Sequence, residues 1–253
     1  MCLSKCGSRK ASSDDWEAHC YFTNMNAFYL GYEKSYVSVD CVCLGFRGSM
    51  LYTLITKRKF EPLVGEDSLM GGFVQPDENL QEAATRVVAE YTGIGGVYLE
   101  QVGAYGDIGR DTGERVISIA YYALIDMELF NEDLYEVHDT RWQNVNEINS
   151  LIFDHKVILA DAVEILRKKA ANRPIGFNLL PEKFTLPQLQ LLYEAIYNTT
   201  LDKRNFRKKI LDMDILEKQE DKDKSSSKRG AFYYKFNKKK YDQLLQRGYY
   251  FSL

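Results

Sequence analysis

The sequence lacks any long apolar run. No stretch of its 253 residues approaches the ~20 consecutive apolar residues that a membrane-spanning helix needs. The first twenty residues are polar and of mixed charge, without the apolar core of a signal peptide. Hydrophobic residues make up 45% of the chain and charged residues 27%, as in a globular protein. We therefore expect a cytoplasmic protein with no membrane partner.

Cysteines are also scarce. An odd number without an export signal favours a reducing compartment over a disulfide framework. Cys41 and Cys43 alternate within a strand-like run, so they are expected to face one side and pack as small apolar groups. The others, with His19, fit no common zinc spacing. All five lie in the first fifth of the chain: Cys2, Cys6, Cys20, Cys41 and Cys43.

A helix signature with missing acids occupies residues 72–94. Gly72 is followed after five residues by Glu78, and then after seven by Arg86. This spacing resembles the Nudix box, G-x5-E-x7-R-E-U-x-E-E-x-G-U, in which U is aliphatic. The resemblance implies an α/β fold, a Nudix α/β/α sandwich with a mixed sheet. The box positions are Gly72, Glu78, Arg86, Val87, Glu90, Tyr91 and Gly93.

Two of the three glutamates that hold divalent metals in Nudix hydrolases are absent. Val87 and Tyr91 replace them, and only Glu90 remains. A metal-dependent phosphoryl-transfer site needs a cluster of carboxylates. Glu82 lies nearby, but it is equally well explained as the ion-pair partner of Arg86 one turn on. We predict no catalytic residue, no metal and no cofactor. The alternative is an active pyrophosphohydrolase for ADP-ribose-type nucleoside diphosphates.

The order of apolar patterns and turn signals divides the chain. Residues 1–27 are predicted to be a flexible arm, 28–172 the degenerate Nudix domain, 173–184 a proline-containing linker and 185–253 a second domain. A helix is predicted at Ile152–Ala171. Strands are predicted at Val37–Phe46, Met50–Thr56, Val97–Tyr105, Arg115–Ile125 and Trp142–Val145.

Charge separates the C-terminal part from the rest. Residues 176–253 carry 16 Lys and Arg against 10 Asp and Glu, a net charge of 16 − 10 = +6. The remaining residues carry 17 against 26, a net charge of −9. A basic module on an acidic body indicates that the module alone meets a polyanion.

The C-terminal pattern predicts a winged helix-turn-helix. Thr185 and Gln188 form a capping box for a first helix, and Asp202 caps a second. Strands at Ile215–Lys218 and Ala231–Phe236 follow, and a flexible charged loop at Glu220–Arg229 between them forms the wing. The second helix is expected to enter a major groove. The predicted DNA-binding residues are Thr185, Gln188, Lys203, Arg204, Asn205, Arg207, Lys208, Lys228 and Arg229.

An alternative is that the basic face of this module is only solvated, and that the module serves for dimerisation or protein interaction. Its basic residues, however, cluster early in one helix and again at one loop tip. Those are the places where groove and phosphate contacts fall in winged helices.

From Phe28 to Phe236 the chain resembles the bacterial Nudix-related transcriptional regulators. The resemblance rests on residues 113–122, 177–181, 184–190 and 201–208. One branch of that family senses ADP-ribose-type ligands, and another, in gut Bacteroidetes, senses arabinose and related sugars. The match is nearer to the sugar-sensing branch. It implies a nucleoid-associated homodimer on palindromic double-stranded operator DNA, with L-arabinose or a related sugar as effector and ADP-ribose as the alternative.

An effector is expected in the old catalytic cleft. A sugar needs planar polar groups and an aromatic ring, whereas a nucleotide needs several cations for its diphosphate. The missing metal site favours a neutral pentose. The loops around the box helix supply the predicted contacts: Arg58, Phe60, Glu61, Phe73, Gln75, Tyr105, Asp107, Arg115 and Tyr121.

Overall fold

The computed structural model describes Tyr29 and residues 31–224, 230–249 and 251–253. The chain divides into two compact units, Met1–Ser35 and Tyr36–Leu253. In the first, the Tyr32 amide donates a hydrogen bond to the Tyr29 carbonyl (3.1 Å). The predicted flexible arm, residues 1–27, lies outside the described residues. No helix in the described ranges is long and apolar enough to cross a membrane.

A mixed sheet forms the centre of the second unit. β1 and β6 run parallel, while the other pairs are antiparallel. The strand order is β3-β2-β1-β6-β5, with β4 paired to β1 and β7 paired to β2. The strands are β1 (Tyr36–Arg47), β2 (Met50–Lys57), β3 (Asp67–Ser68), β4 (Met70–Phe73), β5 (Tyr98–Tyr105), β6 (Val116–Ile125) and β7 (Thr140–Asn144).

Helices cover both faces of this sheet, which confirms the predicted sandwich. α1 (Leu80–Thr92) packs on one face and α3 (His155–Asn172) on the other, and a short α2 (Leu134–His138) lies between them in the chain. Successive strand residues point to opposite faces. Accordingly, Cys41 and Cys43 are fully buried on the α1 side, as predicted, while their neighbours on β1 pack on the α3 side.

The C-terminal part forms the predicted winged helix. The Thr185–Gln188 capping box and the Asp202 cap are both present. The second sheet has the antiparallel order β8-β10-β9. Its elements are β8 (Phe184–Thr185), α4 (Leu186–Tyr197), α5 (Lys203–Asp212), β9 (Leu216–Asp223), β10 (Ala231–Phe236) and α6 (Lys238–Gln246).

One prediction about the wing needs correction. The loop predicted at Glu220–Arg229 begins later, because β9 continues to Asp223, paired with Ala231 of β10. Lys218 and Lys222 lie over the ring of Phe232 (3.7 and 4.2 Å), which stabilises that pairing. The wing tip, residues 225–229, lies outside the described residues, and the predicted DNA contacts Lys228 and Arg229 lie there with it.

The segment predicted as a linker is folded into the joint between the domains. Residues Pro174–Leu179 form a 3-10 helix, and the Phe177 ring stacks on Phe236 of β10 (4.5 Å between centroids). The C-terminal tail closes the same joint, since Phe251 is 1% exposed. The Arg167 Nε of α3 donates to the Ile196 carbonyl of α4 (2.8 Å), so α3 contacts the winged helix directly.

Candidate functional site

The box helix is held by local contacts that involve its two remaining N-terminal acids. Asn79 and Glu82 form a capping box at the start of α1. The ion-pair partner of Arg86 is therefore not Glu82 but Glu78, with Nε–Oε2 and Nη2–Oε1 distances of 2.9 and 2.6 Å. This hydrogen bonding to Arg86 lowers the pKa of Glu78 to about 2. Neither acid is left over for a metal ion.

The positions of the replaced acids have become packing surface. Val87 is 1% exposed and closes against Gly72, where an added Cβ would lie 3.2 Å from Val87 Cγ2. The Tyr91 ring packs on His138 (4.6 Å). Glu90 is exposed, and the described residues contain no group of three acids, histidines or cysteines able to hold a metal. The donor set does not fit the divalent metals of active Nudix enzymes.

A cavity of about 490 Å³ opens beside the box helix. This volume falls within the ~300–1,000 Å³ typical of small-molecule sites. Three box residues line it: Gly72, Glu90 and Tyr91. Its other walls come from β1, from the end of β2 and the segment after it, from β4, from α2, from the loop after β5 and from the start of α3. Those lining residues include Asp40, Lys57, Arg58, Lys59, Phe60, Phe73, Arg110, Asp111, His138, Phe153 and His155.

The structure brings three of the nine predicted effector residues to this cavity: Arg58, Phe60 and Phe73. The other six lie elsewhere. The Tyr105 hydroxyl donates to Asp161 of α3 (2.8 Å), and Arg115 donates to the Asp107 carbonyl (3.1 Å). Tyr121 is buried in the core beneath α1. The two remaining residues, Glu61 and Gln75, are exposed outside the cavity wall.

Sequence reasoning missed the floor of the cavity, which is a buried polar network around Asp40. Asp40 is 6% exposed, and it accepts hydrogen bonds from Ser118 Oγ (2.6 Å) and Arg110 Nη2 (3.1 Å). Arg110 is also bidentate to Asp154, at 2.8 and 2.7 Å. Burial disfavours the charged guanidinium, but the Asp154 hydrogen bonds and Asp40 more than offset this and raise the pKa of Arg110. One signal was available, because Asp40 interrupts an otherwise apolar run at residues 39–44 of β1.

His155 completes the floor as a neutral ring. Its Nδ1 accepts a hydrogen bond from the Leu69 amide (3.1 Å), so the proton lies on Nε2, 3.6 Å from Asp40 Oδ2. Burial lowers the pKa of His155, and the attraction of Asp40 opposes that shift only in part. The network thus fixes the ring orientation and leaves its charge at zero near neutral pH.

The cavity rim carries cations that are free of carboxylate partners. Arg58 lies over the rings of Phe60 (4.2 Å) and Phe153 (5.1 Å). Lys59 Nζ donates to the Val137 carbonyl (2.6 Å). Among the residues that the structure describes, neither Arg58 nor Lys59 forms an ion pair. The rim therefore combines flat aromatic surface with two cations, Arg58 and Lys59, that form no direct ion pair, although Asp111, Asp40 and Glu61 attract Arg58 at longer range.

A second polar surface lies on α5. Phe206 and Ile210 anchor the helix in the core of the winged helix. The face opposite is exposed and basic, and within the described part of the chain its cations form no ion pair with an acid. The predicted DNA contacts on that face are Lys203, Arg204, Asn205, Arg207 and Lys208.

The two predicted contacts at the start of α4 differ in position. Gln188 is exposed. Thr185 is 2% exposed, and its hydroxyl is occupied in the capping box. The prediction that Thr185 touches DNA is therefore corrected, because a buried capping hydroxyl is not available to a phosphate.

A Nudix fold with Val87 and Tyr91 in place of two acids of its signature helix, joined to a winged helix with a basic second helix, defines the class of Nudix-related regulators. Family models agree: a NUDIX domain matches residues 34–163, and the NrtR DNA-binding winged helix domain matches residues 176–236.

Individual relatives support the same class. The chain is 31% identical over 230 residues to the ADPR responsive transcriptional repressor NtrR of Acinetobacter baylyi, which covers 87% of this chain and 92% of that protein. The crystal structure of Shewanella oneidensis NrtR complexed with a 27mer DNA superposes with a TM-score of 0.73 at 28% identity, covering 79% of this chain and 93% of that one. An ADP-ribose pyrophosphatase of Methanocaldococcus jannaschii is 34% identical over 109 residues, 43% of this chain and 63% of that protein. The chain belongs to the NrtR family of Nudix-related transcriptional regulators.

Proposed function

We propose that this protein is a DNA-binding transcriptional regulator whose Nudix cavity binds ADP-ribose without hydrolysing it. The observation that carries the proposal is similarity along almost the whole length of an ADPR-responsive repressor, 92% of which is matched. That similarity favours the ADP-ribose alternative over the sugar predicted from sequence. No comparison supports arabinose as the effector.

The cavity chemistry agrees with an anionic nucleotide ligand. A diphosphate requires cations, and Arg58 and Lys59 are free to pair with it. The exposed rings of Phe60 and Phe73, which are 59% and 51% exposed, offer flat surfaces for a base. A neutral pentose would leave the rim cations without a partner.

Hydrolysis is not part of the proposed function. Water activation in a Nudix enzyme depends on metals held by a cluster of carboxylates. Glu78 is engaged by Arg86, and the other two positions carry Val87 and Tyr91. Glu90 is the one box acid that lines the cavity. A single exposed carboxylate does not hold a two-metal site.

DNA recognition is proposed for the exposed face of α5. Arg204, Asn205 and Arg207 are proposed to contact base edges, because Arg matches guanine and Asn matches adenine with two hydrogen bonds each. Lys203 and Lys208 flank them and suit phosphates. The wing residues Lys228 and Arg229 remain predicted contacts.

A homodimer on a palindromic operator remains a proposal. Two copies of α5 related by a twofold axis would enter successive major grooves about 34 Å apart. Light scattering on the free protein and on its DNA complex measures this directly. A single protein copy per DNA duplex would contradict the dimer without affecting the assignment of the ligand.

The effector is tested by titrating the DNA upstream of the protein's own gene in the presence of ADP-ribose or L-arabinose. We expect ADP-ribose to change the dissociation constant for DNA by about 5- to 150-fold, the usual range of allosteric coupling. L-arabinose is expected to leave it unchanged. A response to L-arabinose alone would restore the sugar prediction.

Hydrolysis is tested by incubating the protein with ADP-ribose and Mg²⁺ or Mn²⁺ and separating the products. We expect intact ADP-ribose for both the wild type and Glu90→Gln. Turnover by the wild type that disappears in Glu90→Gln would establish an active pyrophosphohydrolase instead.

A further inference from the structure

Arg110 lies between two carboxylates that belong to different parts of the fold. Asp40 is in the middle of β1, and Asp154 immediately precedes α3. The Arg110 side chain is 4% exposed, lines the cavity, and is 3.1 Å from Asp40 and 2.7 Å from Asp154. A buried guanidinium shared by two acids can exchange one of them for another anion without losing its charge compensation.

The second partner, Asp154, does not cap α3 with its side chain while it is paired with Arg110. It occupies the N-cap position of α3, yet its side chain accepts no capping hydrogen bond. The first turn of α3 also contains no acidic residue. An N-cap aspartate would normally satisfy an amide at the helix start and interact favourably with the helix dipole. Asp154 pairs with Arg110 instead, and its backbone (φ −97°, ψ 11°) lies outside the extended region typical of a capping residue. Capping by Asp154 therefore requires release from Arg110 together with a backbone rotation at the start of α3.

α3 joins the cavity to the DNA-binding module. Its first residue, His155, lines the cavity, and its 18 residues span about 27 Å. At the far end, Arg167 Nε donates to the Ile196 carbonyl of α4 (2.8 Å), and Ala171 accepts from the Leu253 amide (3.1 Å). Because α3 is packed on the sheet and hydrogen-bonded to the winged helix near its C-terminal end, a shift at its first turn is transmitted to the winged helix.

We propose that Arg110 binds the effector and transmits its presence to the winged helix. The diphosphate of ADP-ribose replaces Asp154 as the partner of the Arg110 guanidinium. The released Asp154 then caps α3, and the resulting shift of α3 moves the winged helix through Arg167. This inference rests on the proposed function, because it requires an anionic effector in this cavity. It adds a contact residue and a route of coupling that neither the fold nor the relatives assign.

The Asp154→Asn variant separates this exchange from a purely structural role. Asparagine caps a helix as well as aspartate but no longer holds Arg110 by charge. We expect calorimetry on the full chain to show ADP-ribose binding about fivefold tighter or more. In the absence of ADP-ribose, the dissociation constant for DNA should move in the direction that ADP-ribose produces in the wild type.

Asp111→Asn is the matched control for charge. Asp111 also lines the cavity, but its carboxylate accepts from the Gly113 amide (2.8 Å) rather than from Arg110. We expect a smaller gain in ADP-ribose affinity and no change in DNA affinity. Equal effects of the two variants, or weaker ADP-ribose binding by Asp154→Asn, would overturn the exchange.

Arg167→Ala tests the far end of α3, with Lys168→Ala as its control. Lys168 is 71% exposed and pairs only with Glu164 on the same helix among the described residues. The Arg167→Ala variant should bind ADP-ribose alone and DNA alone with wild-type affinity. The factor by which ADP-ribose changes the dissociation constant for DNA should fall to about one. An undiminished effect would overturn the route. A wild-type protein that binds no ADP-ribose would refute the proposed function itself.

Discussion

The cavity floor and the exposed face of α5 are both proposed to bind anions, yet their charges are arranged in opposite ways. In the floor, Arg110 and Asp40 are buried and paired. On α5, Arg204 and Arg207 are exposed and have no carboxylate partner among the described residues. Buried paired charges select one geometry at a cost in desolvation, whereas exposed unpaired charges give long-range attraction that salt weakens. The first arrangement suits a small effector and the second suits DNA.

The largest effect is expected from removing the exposed pair. Arg204→Ala combined with Arg207→Ala should weaken binding to upstream DNA by about 2–6 kcal/mol in gel-shift titrations, at about 1–3 kcal/mol for each arginine. The thermal stability should stay close to that of the wild type, because both side chains are exposed. The control is Lys168→Ala, which removes an exposed cation outside α5. Wild-type affinity in the double variant would refute the assigned recognition helix.

The salt dependence of DNA binding also tests the exposed cations of α5. The slope of the logarithm of DNA affinity against the logarithm of salt concentration reports the number of phosphate contacts. Lys208→Ala should reduce that slope by about one and weaken binding to all sequences alike. An unchanged slope would remove Lys208 from the phosphate contacts.

Breaking the buried polar network around Asp40 should lower the stability of the fold. Asp40→Ala leaves Ser118 without its acceptor, removes the carboxylate that faces His155 Nε2, and leaves Arg110 with one carboxylate fewer. We expect the free energy of unfolding in urea to fall by about 3 kcal/mol, the usual scale for breaking a buried charged network. Asp107→Ala, in an exposed part of the loop that carries Arg110, should change it little. Equal losses in the two variants would show that the network is not stabilising.

The smallest effect is a pH dependence that belongs to His155. Its pKa is lowered in the folded protein, so below about pH 6.5 the unfolded chain binds a proton that the folded chain does not. Stability should therefore fall as the pH drops through this range, by at most about 1.4 kcal/mol per pH unit. His155→Asn keeps an acceptor for Leu69 and should flatten the dependence between pH 6.5 and 5. Parallel curves for the two proteins would contradict a neutral buried ring.

The contrast also explains what could be predicted from sequence. The sandwich was implied by the resemblance to the Nudix box, with which the order of predicted strands and helices agreed. The winged helix followed from the chain itself, because the apolar periodicity and the caps at Thr185 and Asp202 are local signals. The face of α5 was predictable for the same reason, since exposed charges on one helix share one periodicity. β4 and α6 were missed, because their pairing and burial depend on distant strands and helices.

The cavity floor was beyond such reasoning. It assembles Asp40 of β1, Arg110 of a loop and His155 of α3, which are separated by 70 and 115 positions from Asp40 in the chain. Only the parallel pairing of β1 with β6 and the seat of α3 on the sheet bring them together. Loop proximity to the box helix placed Arg58, Phe60 and Phe73 correctly but not the residues beneath them.

One titration measures the response to ADP-ribose and its hydrolysis together. ADP-ribose is added in Mg²⁺ to a preformed complex of the full chain with fluorescently labelled upstream DNA, and the anisotropy is followed before the nucleotide is recovered and analysed. We expect a saturable change in anisotropy together with quantitative recovery of intact ADP-ribose. An unchanged anisotropy, or recovery of AMP and ribose 5-phosphate in place of ADP-ribose, would contradict it.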